Sequence, residues 1–369
     1  MRVLFINSVC GIRSTGRICT DLAEEYMKQG HEVRIAYGRE TVPEKYKDIA
    51  VKIGSKSDVY SSVIRSRIFN NDGFNSISAT KKFLEWAEKY DPDILWLHNL
   101  HGYYVNIDLL FKWIKSRPEM QVKWTLHDCW AFTGHCAHFT MAKCEKWKTG
   151  CFSCPQKRSY PKSIVFDRCG VNYRSKQKAF CGVENMTLIT PSHWLRGLVK
   201  QSFLKEYKVD VVHNTIDREI FRYRESNFRT KYGLENKKIV LGVSTVWNET
   251  KGLGDYIRLP DLLSNDYKVV LVGVPEKLIK KLPGSILAFE KTNNVAELAE
   301  IYSAADVFIN LTYEDNYPTV NLEAQACGTP CITYRTGGSP ESVPPENVAD
   351  TGNLDEIVVK IKEICEMKK

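Results

Sequence analysis

Short apolar runs alternate with helix-patterned stretches along the whole chain, a pattern compatible with little besides parallel β-sheets flanked by helices. Val3 to Ile6 opens the series, followed by a Gly/Ser/Thr loop from Gly11 to Gly16. Leu22, Tyr26 and Met27 then fall at helical spacing, Gly30 stops that helix, and His31 to Ala36 reads as the next strand. Further apolar segments lie at 94–97, 122–126, 188–190 and 209–212, and a second series after Asn214 at 239–243, 268–272, 307–310 and 330–333. A length of 369 residues exceeds what one core usually organises. The expectation is an α/β chain of two Rossmann-like parallel-sheet domains, 1–213 and 214–369, facing a cleft, with ligands at the carboxyl ends of the strands.

One stretch breaks the alternation. Residues 128–165 carry no clean period and read as a long functional insertion into the first domain. Twelve cysteines need a reason here, because no apolar run is long enough to cross a bilayer and the N-terminus is too short for a signal peptide. A cytoplasmic chain does not keep disulfides, so clustered thiols point to metal. Cys136, Cys144, Cys151 and Cys154 supply four thiolates, one pair as C-x-x-C, which suits a structural zinc site pinning the insertion; Cys129, His135 and His138 are substitutes. Residues 143–178 hold ten Lys or Arg against two acids, a local balance equal to the whole chain's net +8. Such a surface suits a saccharide or lipid-linked acceptor, or anionic headgroups at the inner face of a membrane, more than nucleic acid.

The most informative segment is Thr312 to Pro330, which follows the apolar run ending at Asn310. Pro318 suits a first helical position and Gly328 the residue after the last turn, so a short helix should present its unpaired N–H groups to an anion. Thr319 and Glu323 are four apart on one helix face, so a phosphate and a hydroxyl-bearing ring of one nucleotide diphosphate would both be within reach. Asp315, seven residues, then Glu323-Ala324-x-Ala326-x-Gly328-x-Pro330, followed by Gly337 to Glu341, resembles the retaining GT-B glycosyltransferases of family four. Further matches run in family order through Ser14 to Arg17, Gly30 to Val33, Leu97 to Asn99, Leu126 to Asp128, Pro191 to Leu195, Asn214 to Asp217 and Lys251-Gly252.

The resemblance implies a hexosyltransferase of GT-B fold that takes a nucleotide diphosphate sugar as donor, requires no catalytic metal, and serves surface polysaccharide assembly. It implies that Glu323 grips the ribose hydroxyls and that Asp315, with Asn316, Tyr317, Pro318 and Thr319, holds the transferred sugar and diphosphate. Lys251 would neutralise the leaving diphosphate as its charge develops. The family's arginine a few residues earlier is absent between Val240 and Thr250, and Arg17, beside Gly16, is the candidate replacement. His127 would contact the donor sugar near the anomeric centre, with His98 and His101 as weaker acceptor contacts. The alternatives left open are a GT-B nucleotide-sugar epimerase, a non-catalytic sugar-nucleotide-binding subunit, and a zinc-stabilised nucleic-acid module.

Overall fold

Strand β1 (Arg2–Asn7) is buried from Val3 onward, as a strand covered by helices on both faces must be. It is an inner strand of a seven-stranded sheet in the computed structural model, which describes residues 1–367. The others are β2 (Glu32–Tyr37), β3 (Ala50–Lys52), β4 (Ile94–Leu97), β5 (Gln121–Thr125), β6 (Met186–Thr190) and β7 (Lys208–Val211). Every neighbouring pair is parallel, in the order β3-β2-β1-β4-β5-β6-β7. The chain divides into two units between His213 and Asn214.

The second unit repeats the plan with β8 (Lys238–Val243), β9 (Tyr267–Val272), β10 (Ile286–Phe289), β11 (Val307–Asn310), β12 (Cys331–Tyr334) and β13 (Val348–Ala349). They form a parallel sheet in the order β10-β9-β8-β11-β12-β13. Along β8 the side chains alternate between two cores, Val240 joining one and Ile239 and Leu241 the other. The helix Leu354–Met367 covers the first of these faces, and Val295–Ala304 with Thr319–Ala326 covers the second. Among the described residues no helix is long and apolar enough to cross a membrane.

Strand order reverses between β1 and β4 in one sheet and between β8 and β11 in the other, so the loops leaving these strands diverge and leave room for a ligand. Three short strands, β3, β10 and β13, are absent from the sequence reading. All are sheet edges, where a strand packs on fewer neighbours and needs no continuous apolar run. The loop read from Gly11 to Gly16 is shorter than expected: the helix spans Arg13–Lys28, so Gly16 and Arg17 sit in its first turns.

Residues 128–165 share the core of the first unit. Phe132, Phe139 and Trp147 contact one another and belong to the same buried cluster as Leu97 and Trp124. Lys176, on the helix Cys169–Phe180, is fully enclosed; its Nζ donates to the carbonyls of Trp130 (2.7 Å) and Thr133 (3.0 Å) and stands 3.4 Å from the Trp130 ring centroid. Burial lowers its pKa to about 7.

Two glycines fix the loops of the second unit. Gly252 (φ +70°) packs against the Leu311 carbonyl and Gly337 (φ +54°) against the Asp315 carbonyl, with no room for a β-carbon at either. Gly337→Ala is therefore expected to destabilise the protein by at least about 1 kcal/mol, read as a lower denaturant midpoint at unchanged slope. An unchanged midpoint would mean that the loop yields freely.

Candidate active site

In the second unit the loop after β8 closes as a tight turn, Glu249–Lys251, whose start is capped by Asn248: its Oδ1 accepts from the Lys251 N–H at 3.1 Å. The Thr250 carbonyl is shared between the Tyr313 N–H (2.8 Å) and the Thr312 hydroxyl (3.2 Å), tying this turn to the loop after β11. The Lys251 ammonium thus reaches Asp315, with Nζ 2.6 Å from Oδ2 and 3.3 Å from both the Glu314 carbonyl and the Thr312 Oγ1. Asp315 Oδ1 accepts from the Asn316 N–H at 2.9 Å. Both side chains of the pair keep part of their surface open, 30% for Lys251 and 23% for Asp315, so a ligand can meet them.

The helix that follows spans Thr319–Ala326. Pro318 is its N-cap rather than its first helical residue, because its ψ of 121° is still extended. Thr319 is half-buried and Glu323 buried at 3% exposure, both on the face expected. Tyr302, from the helix Val295–Ala304, donates its hydroxyl to Glu323 Oε2 at 3.1 Å. Burial and then the Glu323 charge hold the Tyr302 pKa well above its ordinary value, so the phenol remains a donor. No sequence signal marked Tyr302, since an aromatic at that spacing reads as core. Asn321 is held by Asn310 (2.8 Å) and Ser342 (2.8 Å), and Tyr317 accepts from the Asn214 amide through its carbonyl at 2.9 Å.

In the first unit the histidines emerge where β4 and β5 end. His98 Nδ1 and His127 Nε2 are 2.9 Å apart, and the rings stack at 5.2 Å. His98 is only 1% exposed, and its Nδ1 is occupied by the His127 ring. Burial pushes the pKa of His98 far down and that of His127 to about 4, Asp128 opposing the latter only in part. Both rings are neutral at pH 7, one nitrogen donating and the other accepting.

His101 behaves oppositely. Its Nε2 is 2.8 Å from Asp128 Oδ2 and its Nδ1 2.9 Å from the Tyr160 hydroxyl. Burial resists its charge, yet Asp128 outweighs that and raises its pKa; the same contact overcomes burial in Asp128 and lowers its pKa to about 2. A histidine pair held neutral by burial thus adjoins a His–Asp pair in which each partner favours the other's charged form. Nothing in the sequence signals that His101 meets Asp128 and Tyr160, which lie 27 and 59 residues away.

Cys136, Cys144, Cys151 and Cys154 line one cavity together with His135 and Cys169, the last unforeseen. The Gly134 N–H donates to Cys151 Sγ at 3.2 Å. Among the described residues no three of these sulfurs gather within 4.8 Å, wider than a closed four-ligand site. His135 is engaged through Nδ1 by Asn70 Oδ1 at 2.6 Å.

The Glycosyltransferase Family 4 profile matches residues 15–220, and that of Glycosyl transferases group 1 matches residues 224–369. The chain is 23% identical to the putative colanic acid biosynthesis glycosyl transferase WcaC of Escherichia coli K12, over 92% of this chain and 85% of that one. It is 31% identical to the N-acetyl-alpha-D-glucosaminyl L-malate synthase of Bacillus anthracis over 48% of each. Sucrose-phosphate synthase from Thermosynechococcus elongatus shares the fold with a TM-score of 0.70 at 14% identity, covering 99% of this chain and 90% of that one. Anabaena HepE in complex with UDP-glucose does so at 0.66 and 13%, covering 100% and 90%.

The depressed His127 pKa has a consequence for stability. The unfolded imidazole titrates near 6.5, the folded one near 4, so the unfolded state binds more protons between these values. The contribution is present above pH 6.5 and lost as pH falls toward 4. Thermal unfolding of His127→Asn is expected to depend less steeply on pH over this window than that of the unaltered protein; parallel slopes would show the ring is not held neutral.

Proposed function

The chain belongs to Glycosyltransferase Family 4, a GT-B glycosyltransferase, and from that premise we propose that it transfers a hexose, with retention, from a nucleotide diphosphate sugar to a lipid-linked saccharide in surface polysaccharide assembly. What carries the reading is the Lys251–Asp315 pair at the carboxyl ends of β8 and β11, with Glu323 eight residues further on. Lys251 supplies the positive charge that the leaving diphosphate needs as the glycosidic bond breaks, so its contact strengthens toward the transition state. Thr319 opens the helix whose N–H groups suit the phosphates, and Glu323 accepts from the ribose hydroxyls. Asp315, with the loop Asn316 to Pro318, holds the sugar. His127 acts as a neutral hydrogen-bonding group toward it, and His101 toward the acceptor. The leaving phosphate takes the acceptor hydroxyl proton, so no protein nucleophile or catalytic metal is used. The donor roles of Gly16 and Arg17 rest on the family resemblance.

Similarity to WcaC, named for colanic acid biosynthesis, supports the polysaccharide context, and the HepE complex with UDP-glucose supports the donor class. A cytoplasmic location with membrane contact through residues 143–178 belongs to the same reading. So does a structural zinc ion held by Cys136, Cys144, Cys151 and Cys154. Four thiolates are the donor set that this metal takes, and the Gly134 N–H bond to Cys151 is of the kind that supports a thiolate ligand; binding would draw the sulfurs closer together than they stand here.

Glu323→Gln keeps the side-chain volume beside Tyr302 but removes the charged acceptor; it is expected to weaken nucleotide-sugar affinity by about tenfold or more in calorimetry. Lys251→Ala should lower turnover by about a hundredfold with less effect on affinity. Undiminished donor affinity in Glu323→Gln would remove the donor-site assignment. For the zinc, elemental analysis of protein purified without chelator should give one equivalent per chain, lost in a Cys151→Ser/Cys154→Ser variant. Metal-free, fully folded protein would refute that part alone.

A further inference from the structure

The helix Lys56–Phe69 carries a row of apolar side chains turned to solvent, Tyr60, Ile64 and Ile68, and ends on exposed Phe69. A helix of a globular domain normally turns such a row inward. Here the two residues of this helix that are buried are Ser62 and Ser66. Its last turn explains what the outward row belongs to. The Arg67 carbonyl accepts from the Ile164 N–H at 2.7 Å and the Ile68 carbonyl from the Phe166 N–H at 3.0 Å. Carbonyls that water would otherwise satisfy at a helix end instead fix the strip Ile164-Val165-Phe166, each of whose residues is more than half exposed. Phe166 stacks on Phe69 with ring centroids 5.8 Å apart and 4° between planes.

The strip is anchored. Asn70, the left-handed cap of the helix, gives its carbonyl to the Asn172 amide at 2.6 Å and its Oδ1 to His135. The Ser163 hydroxyl donates to the Phe166 carbonyl at 2.8 Å. Two segments a hundred residues apart therefore build one continuous, preformed apolar ridge.

Its surroundings are cationic. Residues 56–69 and 157–174 together contain eight Lys or Arg and two acids. Both acids are occupied: Asp58 closes the capping box with Ser55, and Asp167 accepts from the Cys154 and Cys169 N–H groups. Arg65, Arg67, Arg158, Lys162 and Arg168 are exposed, and no ion pair among the described residues includes them.

We propose that this ridge is a membrane-docking surface that inserts Tyr60, Ile64, Ile68 and Ile164 to Phe166 into the headgroup boundary of an anionic bilayer while the flanking arginines and lysines meet the phosphates. Uncompensated positive charge around an apolar ridge is the chemistry that an anionic leaflet complements. Single-stranded nucleic acid fits less well, because Ile64, Ile68, Ile164 and Val165 offer no face on which a base can stack. The inference sharpens the reading of a membrane-linked acceptor and relocates the contact: much of the ridge lies on 60–69, outside the basic stretch 143–178.

Flotation of the full chain with phosphatidylglycerol/phosphatidylcholine vesicles and with phosphatidylcholine alone tests it, without donor or acceptor, so that its failure leaves the transfer reading standing. Binding is expected to the anionic vesicles only and to weaken at high salt. Tyr60→Ser/Ile64→Ser and, separately, Ile164→Ser/Val165→Ser should each reduce binding by about tenfold. Circular dichroism and nucleotide-sugar affinity should remain unchanged in both. Phe166 is left intact because it stacks on Phe69. Binding equal to that of the unaltered chain in both variants would overturn the proposal, as would no vesicle binding at all. Salt-sensitive oligonucleotide binding that survives in both variants, without vesicle binding, would assign the charge to nucleic acid instead.

Discussion

The second unit depends on a close approach of backbone to backbone where strand order reverses. Gly252, leaving β8, rests on the carbonyl of Leu311, and Gly337, leaving β12, rests on that of Asp315. Three loops are thereby locked around the end of β11 without any side chain between them. The ion pair is a consequence of this locking. Lys251 and Asp315 are separated by 64 residues, yet each is delivered by a loop with little freedom, so the entropy that usually cancels a partly exposed ion pair is already spent in folding the glycine turns. A pair held this way matters less for stability than for placing a cation and a carboxylate at a defined separation.

Charge in the first unit is placed by a different device, burial. His98, His101, His127 and Asp128 all follow strand ends within one small region, and all lose water. What separates their behaviour is the partner each finds. A second imidazole cannot compensate a buried charge, so His98 and His127 stay neutral; a carboxylate can, so Asp128 raises the pKa of His101 while His101 lowers that of Asp128. The adjacent His127-Asp128 dipeptide thereby presents one neutral and one charged group.

The parts of this architecture legible in the sequence are those that leave a local pattern. Strands buried on both faces, such as Val3 to Ile6, announce themselves by composition alone. The helix Thr319–Ala326 is flanked by proline and glycine, and its start was misplaced by only one residue, because proline fits both the N-cap and the first turn. What stayed hidden depends on distant partners. Tyr302 is an ordinary core aromatic until Glu323 is brought against it, and Asp128 acquires its low pKa from a histidine 27 residues away. Edge strands such as β13, two residues long, are too short to write a period, buried though both of its residues are.

Residues 128–165 show the same limit from the other side. Their thiols and cations are legible in the sequence, but their packing is not. The buried Phe132, Phe139 and Trp147 are part of the domain's own core, and Lys176 fastens the turn before them through two carbonyls and an aromatic face. A metal at the cysteines would then tighten the outer loop, residues 144–154, rather than organise the whole segment. The remaining anchor is the end of the helix Lys56–Phe69, whose last carbonyls and Asn70 cap hold residues 163–172. Since core and helix cap already fix the segment, the outward turn of Ile164 to Phe166 is not the fraying of an unsupported loop. Apolar side chains presented on a rigid frame are a surface with a use.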